Sequence, residues 1–88
     1  MSRSIEDAIF AVLAEREAGK TICPSEAARA AWSGEEAEGW RGLMPQVRAT
    51  AVGLARAGRL VITRKGRPAE PNSFKGVYRL KLPEGGVE

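Results

Sequence analysis

The chain has 88 residues, a formal net charge of +3, 43% hydrophobic and 28% charged residues, one cysteine and no histidine. This length suits a single domain over residues 1–88, and no apolar run approaches the roughly 20 residues of a membrane-spanning helix. Without histidine, a glycine-rich phosphate loop or a nucleophile beside a base, the sequence argues against an enzyme, a zinc site and any other cofactor.

The cysteine count and the N-terminus predict the compartment. Cys23 has no partner for an intramolecular disulfide, which favours a reducing cytoplasm. The first ten residues carry acidic groups and no cleavage pattern, so we do not expect a signal peptide.

The first helix is predicted from a capping box at Ser4 and Asp7 to about Ala18, with Gly19 as its stop. Phe10 lies outside the apolar stripe, so it either packs under another element or contacts a partner. The stripe itself consists of Ile5, Ala8, Ile9, Val12 and Leu13.

Residues 21–23 predict a short, isolated strand because two of the three are β-branched. Pro24 follows at the first position of a second helix, which runs to about Ala31. Four alanines make this a supporting helix that can approach its neighbours closely.

Residues 32–44 form a long connection with three glutamates. Ser33 and Glu36 resemble another capping box, so a brief helical turn is predicted there. Trp32 and Trp40 bracket the acidic segment, and we expect both rings to cover the small core.

The third helix is predicted from Pro45 to about Ala57, with Gly58 as its stop and Met44 excluded because it precedes a proline. Its predicted buried side contains Met44, Val47, Ala51, Leu54 and Ala55. Its predicted outer side contains Gln46, Ala49, Thr50, Gly53 and Arg56, with Arg48 at the boundary.

A strand from Leu60 to Arg64 and a partner from Val77 to Leu82 predict a two-stranded hairpin joined by a long basic loop. Residues 82–88 are predicted to fray. The side chains expected to point inward are Leu60, Ile62, Tyr78, Leu80 and Leu82. Those expected to point outward are Val61, Thr63, Val77, Arg79 and Lys81.

This order of elements predicts an α+β fold: a winged helix-turn-helix with three helices, a short first strand and a C-terminal two-stranded β-hairpin wing. The hairpin must pack on the helices, because an isolated two-stranded hairpin is marginal in water. In that arrangement the third helix would enter a major groove. The link over residues 32–44 is longer than the tight turn of a compact helix-turn-helix.

Three segments resemble a known family: residues 21–29 (TICPSEAAR), 40–44 (WRGLM) and 58–68 (GRLVITRKGRP). In this order they are similar to a small bacterial family, domain of unknown function 3253. The resemblance covers nearly the whole chain and implies a winged-helix-like fold. It carries no activity, ligand or site residue over to this sequence.

Charge is unevenly distributed along the chain. Residues 1–44 carry five basic and eight acidic residues, whereas residues 45–88 carry nine basic and three acidic ones. A domain polarised in this way can turn one positive face towards a polyanion. A solvated surface of uneven charge is the simpler alternative, and basic residues on edge strands also block aggregation.

The candidate site joins the outer face of the third helix to the basic hairpin. Its cations would neutralise phosphates and release counterions, and Arg67 beside Pro68 would suit a narrow minor groove. The predicted nucleic-acid contacts are Gln46, Thr50, Arg56, Arg59, Arg64, Lys65, Arg67, Lys75 and Arg79.

The sequence therefore predicts a nucleic-acid-binding domain for duplex DNA, with a transcription-related role and a homodimer as a plausible assembly. The alternative is a protein-interaction module that does not bind DNA and uses Phe10 or the alanine-rich helices. A third hypothesis is a redox-responsive domain in which the helix dipole stabilises the Cys23 thiolate. No small-molecule ligand is indicated.

Overall fold

The computed structural model describes residues 4–17 and 19–83. In that part of the chain, three α-helices are followed by a three-stranded antiparallel sheet of order β2-β1-β3. This confirms the predicted α+β class and is consistent with a winged-helix-like arrangement. The predictions for Ala18 and for residues 84–88 lie outside the described residues. The elements are α1 (Ile5–Ala14), α2 (Pro24–Ala31), a 3-10 helix (Gly39–Leu43), α3 (Met44–Arg56), β1 (Val61–Arg64), β2 (Arg67–Pro68) and β3 (Arg79–Lys81).

Helix α1 begins as predicted, with the Ser4 hydroxyl accepting a hydrogen bond from the Asp7 backbone N–H at 3.0 Å. It ends at Ala14, earlier than the predicted end near Ala18. The reason is that the apolar stripe stops at Leu13, so nothing further holds the helix to the core. The positions that would continue the stripe are charged and exposed: Arg16, Glu17 and Lys20.

The short first strand is confirmed as an isolated antiparallel bridge between Ile22 and Leu80. Two backbone hydrogen bonds of 2.8 and 3.0 Å join this pair. Helix α2 then begins at Pro24, as predicted, and the Glu26 carboxylate accepts a hydrogen bond from the Cys23 backbone N–H at 2.9 Å. Gly19 has a φ of +84°, but in the turn that precedes this strand and not at the end of α1.

The connection after α2 differs from the prediction. Residues 34–38 form bends and turns, and the helical turn predicted at Ser33 appears instead as the 3-10 helix that starts at Gly39. The Trp32 indole explains part of this path: its N–H donates to the Glu36 carbonyl at 2.8 Å. Its ring occupies the space where a Cβ at Gly34 or Gly39 would lie, so both positions require glycine. Trp40 is buried in the core, as expected.

Helix α3 includes Met44, so the prediction that Pro45 excludes this residue was wrong. Met44 has helical backbone angles, with φ −57° and ψ −42°. The 3-10 helix runs directly into α3, and this continuity overrides the steric preference of a residue before proline.

The end of α3 matches the predicted glycine stop. Gly58 has a φ of +79°. Its N–H donates to the Ala55 carbonyl at 3.0 Å, and the Arg59 N–H donates to the Leu54 carbonyl at 2.9 Å. This pair of hydrogen bonds is the Schellman motif, in which a left-handed glycine satisfies the last carbonyls of a helix.

The sheet has one strand more than predicted. Lys65 and Gly66 both have positive φ, +53° and +81°, and form a two-residue turn that folds β2 back onto β1. Positive φ at both central residues is the signature of a type I′ hairpin turn. β1 is therefore the central strand and not one half of a two-stranded hairpin, and Pro68 lies on the edge strand, where proline is tolerated.

Two predicted side-chain orientations were wrong. Thr63 was expected to point outward but is 4% exposed, because it lies in the central strand with neighbours on both sides. Its hydroxyl lies 3.4 Å from the Arg79 carbonyl oxygen. Leu82 was expected to point inward but is 44% exposed, since β3 ends at Lys81.

The core lies between the three helices and the sheet. Each fully buried aliphatic side chain contributes about 1.5–3 kcal/mol to stability. The largest fully buried side chains are Ile9, Ile22, Val47, Ile62 and Leu80.

No helix in the described part of the chain is long and apolar enough to cross a membrane.

Candidate nucleic-acid interface

The tip of the β1–β2 hairpin carries two exposed cations, Lys65 and Arg67. A third, Lys75, is exposed on the loop that leads to β3. None of the three forms an ion pair with any described residue. The type I′ turn fixes the backbone that carries Lys65, so this side chain extends from a defined point at the end of the sheet.

Arg64, the last residue of β1, has a structural contact in addition to its charge. Its Nε donates to the Val77 carbonyl at 3.0 Å. A Cβ at Gly76 would lie 3.0 Å from the same guanidinium, so glycine allows the loop to approach this closely. Arg64 therefore holds the loop before β3 against β1, yet its hydrogen-bond partner is neutral and leaves its positive charge uncompensated.

Arg79 has a similar role on β3. Its Nε donates to the Thr21 hydroxyl at 2.6 Å, and its Nη2 lies 3.3 Å from the Thr21 carbonyl oxygen. These bonds tie β3 to the segment that carries the Ile22 bridge. The side chain is exposed, and both acceptors are again neutral.

Arg59 differs from the other predicted contacts because its charge is compensated. Its guanidinium forms an ion pair with the Glu6 carboxylate of α1 at 3.0 Å. It also lies over the Phe10 ring, 5.3 Å from the ring centroid. The structure thus brings together two residues that the sequence assigned to different sites, and half-buried Phe10 packs against the core and under Arg59.

The outer face of α3 is as open as expected. Gln46 and Arg56 are exposed, Thr50 is half-buried, and Gly53 has no atom within 4 Å of the position of a Cβ. Arg56 forms no ion pair with a described residue. This face can approach another molecule closely but offers few groups for hydrogen bonding.

Arg48 was not among the predicted contacts, although its position at the edge of the helix stripe was noted. Its Nη2 donates to the Phe74 carbonyl at 2.7 Å, and its guanidinium lies 3.9 Å from the Phe74 ring centroid. Phe74 in turn packs edge-on against Tyr78, with ring centroids 5.0 Å apart. Arg48 therefore joins α3 to the loop before β3. Sequence spacing gave no signal for this contact, because the two segments meet only through the tertiary fold.

Carboxylate partners are concentrated in the first half of the chain. The three ion pairs between described residues all use glutamates from that half: Arg16–Glu26, Arg41–Glu38 and Arg59–Glu6. Of the predicted cationic contacts, only Arg59 has a carboxylate partner among the described residues. The other predicted cationic contacts thus keep a charge that no described carboxylate compensates.

Cys23 and the acidic residues show no sign of a metal centre within residues 4–17 and 19–83, since no suitable cluster of ligands occurs there. Cys23 is half-buried, and its Sγ accepts a hydrogen bond from the Ser25 hydroxyl at 3.1 Å.

A search among curated proteins finds no match to this chain. A family model described as a protein of unknown function (DUF3253) matches residues 2–83. Because the match spans nearly the whole chain, and the resemblance seen in the sequence points to the same family, the chain belongs to the DUF3253 family.

Proposed function

We propose that this domain binds duplex DNA, with the basic hairpin and the exposed face of α3 contacting phosphates. The observation that carries the proposal is the exposed hairpin tip, where Lys65 and Arg67 have no carboxylate partner among the described residues. Cations in this state bind phosphates and release the counterions condensed on the duplex.

Protection of the sheet edge explains only part of this charge. The edge strand β2 has two residues, Arg67 and Pro68, and a short strand with a proline already resists pairing with another chain. Lys65 lies in the turn and Lys75 in the next loop, so neither is needed to protect that edge. Their positions favour a binding role.

The loop before β3, which carries Lys75, is held at two points. Arg64 fixes this loop through the Val77 carbonyl, and Arg48 fixes it to α3 through the Phe74 carbonyl. Less ordering of the loop backbone is therefore needed when Lys75 meets a phosphate. Arg67 beside Pro68 would suit a narrow minor groove.

Helix α3 contributes less to sequence recognition. Its outer face presents Gln46, Thr50 and Arg56 among small residues. Base reading usually requires several Arg, Asn or Gln side chains. We therefore propose binding that depends mainly on phosphates and discriminates weakly between sequences.

The test is fluorescence anisotropy with a random-sequence duplex between about 50 and 200 mM salt. Affinity should fall with salt, and the double variant Lys65→Gln with Arg67→Gln should lower the slope of log K against log salt by about two. Lys20→Gln is a control for Lys65→Gln, because Lys20 is also an exposed lysine but belongs to the acidic half of the chain. No binding at low salt, or equal slopes for these two single variants, would rule out the proposed interface.

The protein-interaction alternative has no specific structural observation in its favour. Ala27, Ala28 and Ala31 of α2 are buried in the core, so that part of the alanine-rich surface is already used. The Phe10 ring lies beneath Arg59.

A further inference from the structure

Arg48 lies where α3 meets the loop before β3, and two contacts with Phe74 fix its guanidinium group. Its Nη2 donates to the Phe74 carbonyl at 2.7 Å, and its Cζ lies 3.9 Å from the centroid of the Phe74 ring. The ring is buried in the core, so the surface on which the guanidinium rests is itself fixed. Arg48 therefore presents its charge from a defined position.

The contacts with Phe74 use only part of the Arg48 guanidinium. Its three nitrogens carry five N–H donors, and the bond to the Phe74 carbonyl is the one hydrogen bond that Arg48 makes with the described residues. In that part of the chain, the one buried side-chain polar atom without a partner is the Tyr78 hydroxyl oxygen. Nε and Nη1 of Arg48 also lack a partner, so both must reach the solvent.

A second cation lies next to Arg48 through the chain itself. The backbone nitrogen of Lys75 is bonded to the Phe74 carbonyl carbon, which places it within roughly 5 Å of the Arg48 Nη2. Lys75 is exposed and has a long, flexible stem. Neither cation forms an ion pair with a described residue. The junction of α3 and the loop thus carries two positive charges that no described carboxylate compensates.

We propose that Arg48 contacts the phosphate backbone of the bound duplex directly, with Nε and Nη1 donating to a phosphate next to the one that Lys75 contacts. This inference rests on the proposed function and adds a contact residue to it. A guanidinium suits this role because its planar set of donors matches the oxygens of a phosphate. Since Phe74 already fixes the group, Arg48 loses little conformational freedom on binding.

The first test compares the salt dependence of two arginine variants by fluorescence anisotropy with a random-sequence duplex. Arg48→Gln should lower the slope of log K against log salt by about one. Arg41→Gln is the matched control: Arg41 also lies over an aromatic ring, 4.6 Å from the Trp40 centroid, but is paired with Glu38. Its slope should equal that of the wild type. An unchanged slope for Arg48→Gln, or equal changes for both variants, would overturn the inference.

A double variant separates a direct contact from a purely structural role. If Arg48 and Lys75 each contact a phosphate, Arg48→Gln combined with Lys75→Gln should lower the slope by about two. If Arg48 only holds Lys75 in position, the double variant should have the same slope as Lys75→Gln alone. That result would contradict a phosphate contact of Arg48.

NMR of the wild-type chain provides a measurement that does not depend on the folding of a variant. Adding the duplex should shift the Nε–H signal of Arg48, which has no partner in the free chain. The Nε–H signal of Arg41 should stay in place, because that group already donates to Glu38 at 2.6 Å. An unshifted Arg48 signal in a chain that binds the duplex would overturn this inference and leave the proposed function standing. Absence of any binding would remove both.

Discussion

The fold buries the Tyr78 hydroxyl group without giving it a hydrogen-bond partner among the described residues. Its ring contributes to the core through Phe74, whereas the oxygen has lost its contact with water and gained no partner among the described residues. At the scale of one residue, the contributions of this oxygen and of its ring to the free energy of unfolding can be separated. A substitution by phenylalanine keeps the ring and removes only the oxygen.

Tyr78→Phe should therefore raise the free energy of unfolding by about 1 kcal/mol at neutral pH, since it removes a buried hydroxyl that lacks a partner. Urea denaturation of the two proteins, with equal m-values, would measure the difference. Thr63→Val is a useful contrast, because the Thr63 hydroxyl lies near the Arg79 carbonyl and has an acceptor within reach. A loss of stability in Tyr78→Phe would show that the hydroxyl has a partner in solution.

The same residue predicts a pH dependence. Burial raises the pKa of Tyr78 in the folded state, so between the unfolded value of about 10.0 and the higher folded value the folded chain binds more protons. Stability then falls as the pH rises through this window. The difference in unfolding free energy between wild type and Tyr78→Phe should therefore grow above pH 10 and stay constant below it. A constant difference throughout would contradict the raised pKa.

At the scale of elements, local signals determine where α1 and α2 begin and where α3 ends. Ser4, Pro24 and Gly58 act within one turn of chain, and all three positions were predictable. Other features depend on contacts between distant segments. β2 exists because Lys65 adopts a positive φ, which is uncommon for lysine and carries no sequence signal of the Asn-Gly kind.

Some features of the candidate site could likewise be predicted from the sequence, and others could not. Its positive charge and its position on the hairpin follow from composition and order, so both could be predicted from the sequence. The sequence could not show that Arg59 pairs with Glu6, or that Arg64 and Arg79 hold neighbouring backbone. These contacts join residues far apart in the chain and follow from packing alone.

The end of α3 gives a matched pair of glycines on one element. Gly58→Ala should destabilise the fold by about 1–2 kcal/mol, because its φ of +79° forces a Cβ into a left-handed conformation. Gly53→Ala should stabilise it by about 0.5–1 kcal/mol, since Gly53 is exposed within the helix and a Cβ there meets no atom within 4 Å. Thermal unfolding of both variants measures the two effects. Equal shifts for both would contradict the assigned backbone conformations.

At the scale of the whole molecule, the fold determines which charged side chains form ion pairs, in addition to the uneven distribution of charge along the sequence. The ion pairs between described residues use carboxylates from the first half, whereas Lys65 and Arg67 at the hairpin tip have no carboxylate partner among those residues. Arg59 is the exception, because α1 brings Glu6 to the basic half and compensates one of its charges. If the basic half binds DNA, this ion pair removes one cation, Arg59, from those that can contact a phosphate.

Glu6→Gln should therefore strengthen binding to a random-sequence duplex and increase the salt slope by up to about one, because it releases Arg59 to contact a phosphate. The matched control is Glu35→Gln, which makes the same change in net charge at an exposed residue that forms no ion pair with a described residue. Anisotropy titrations of both variants over the same range of salt compare the two effects. If position decides, only Glu6→Gln changes the slope. Equal increases for both variants would mean that net charge, and not the basic face containing Arg59, governs the interaction.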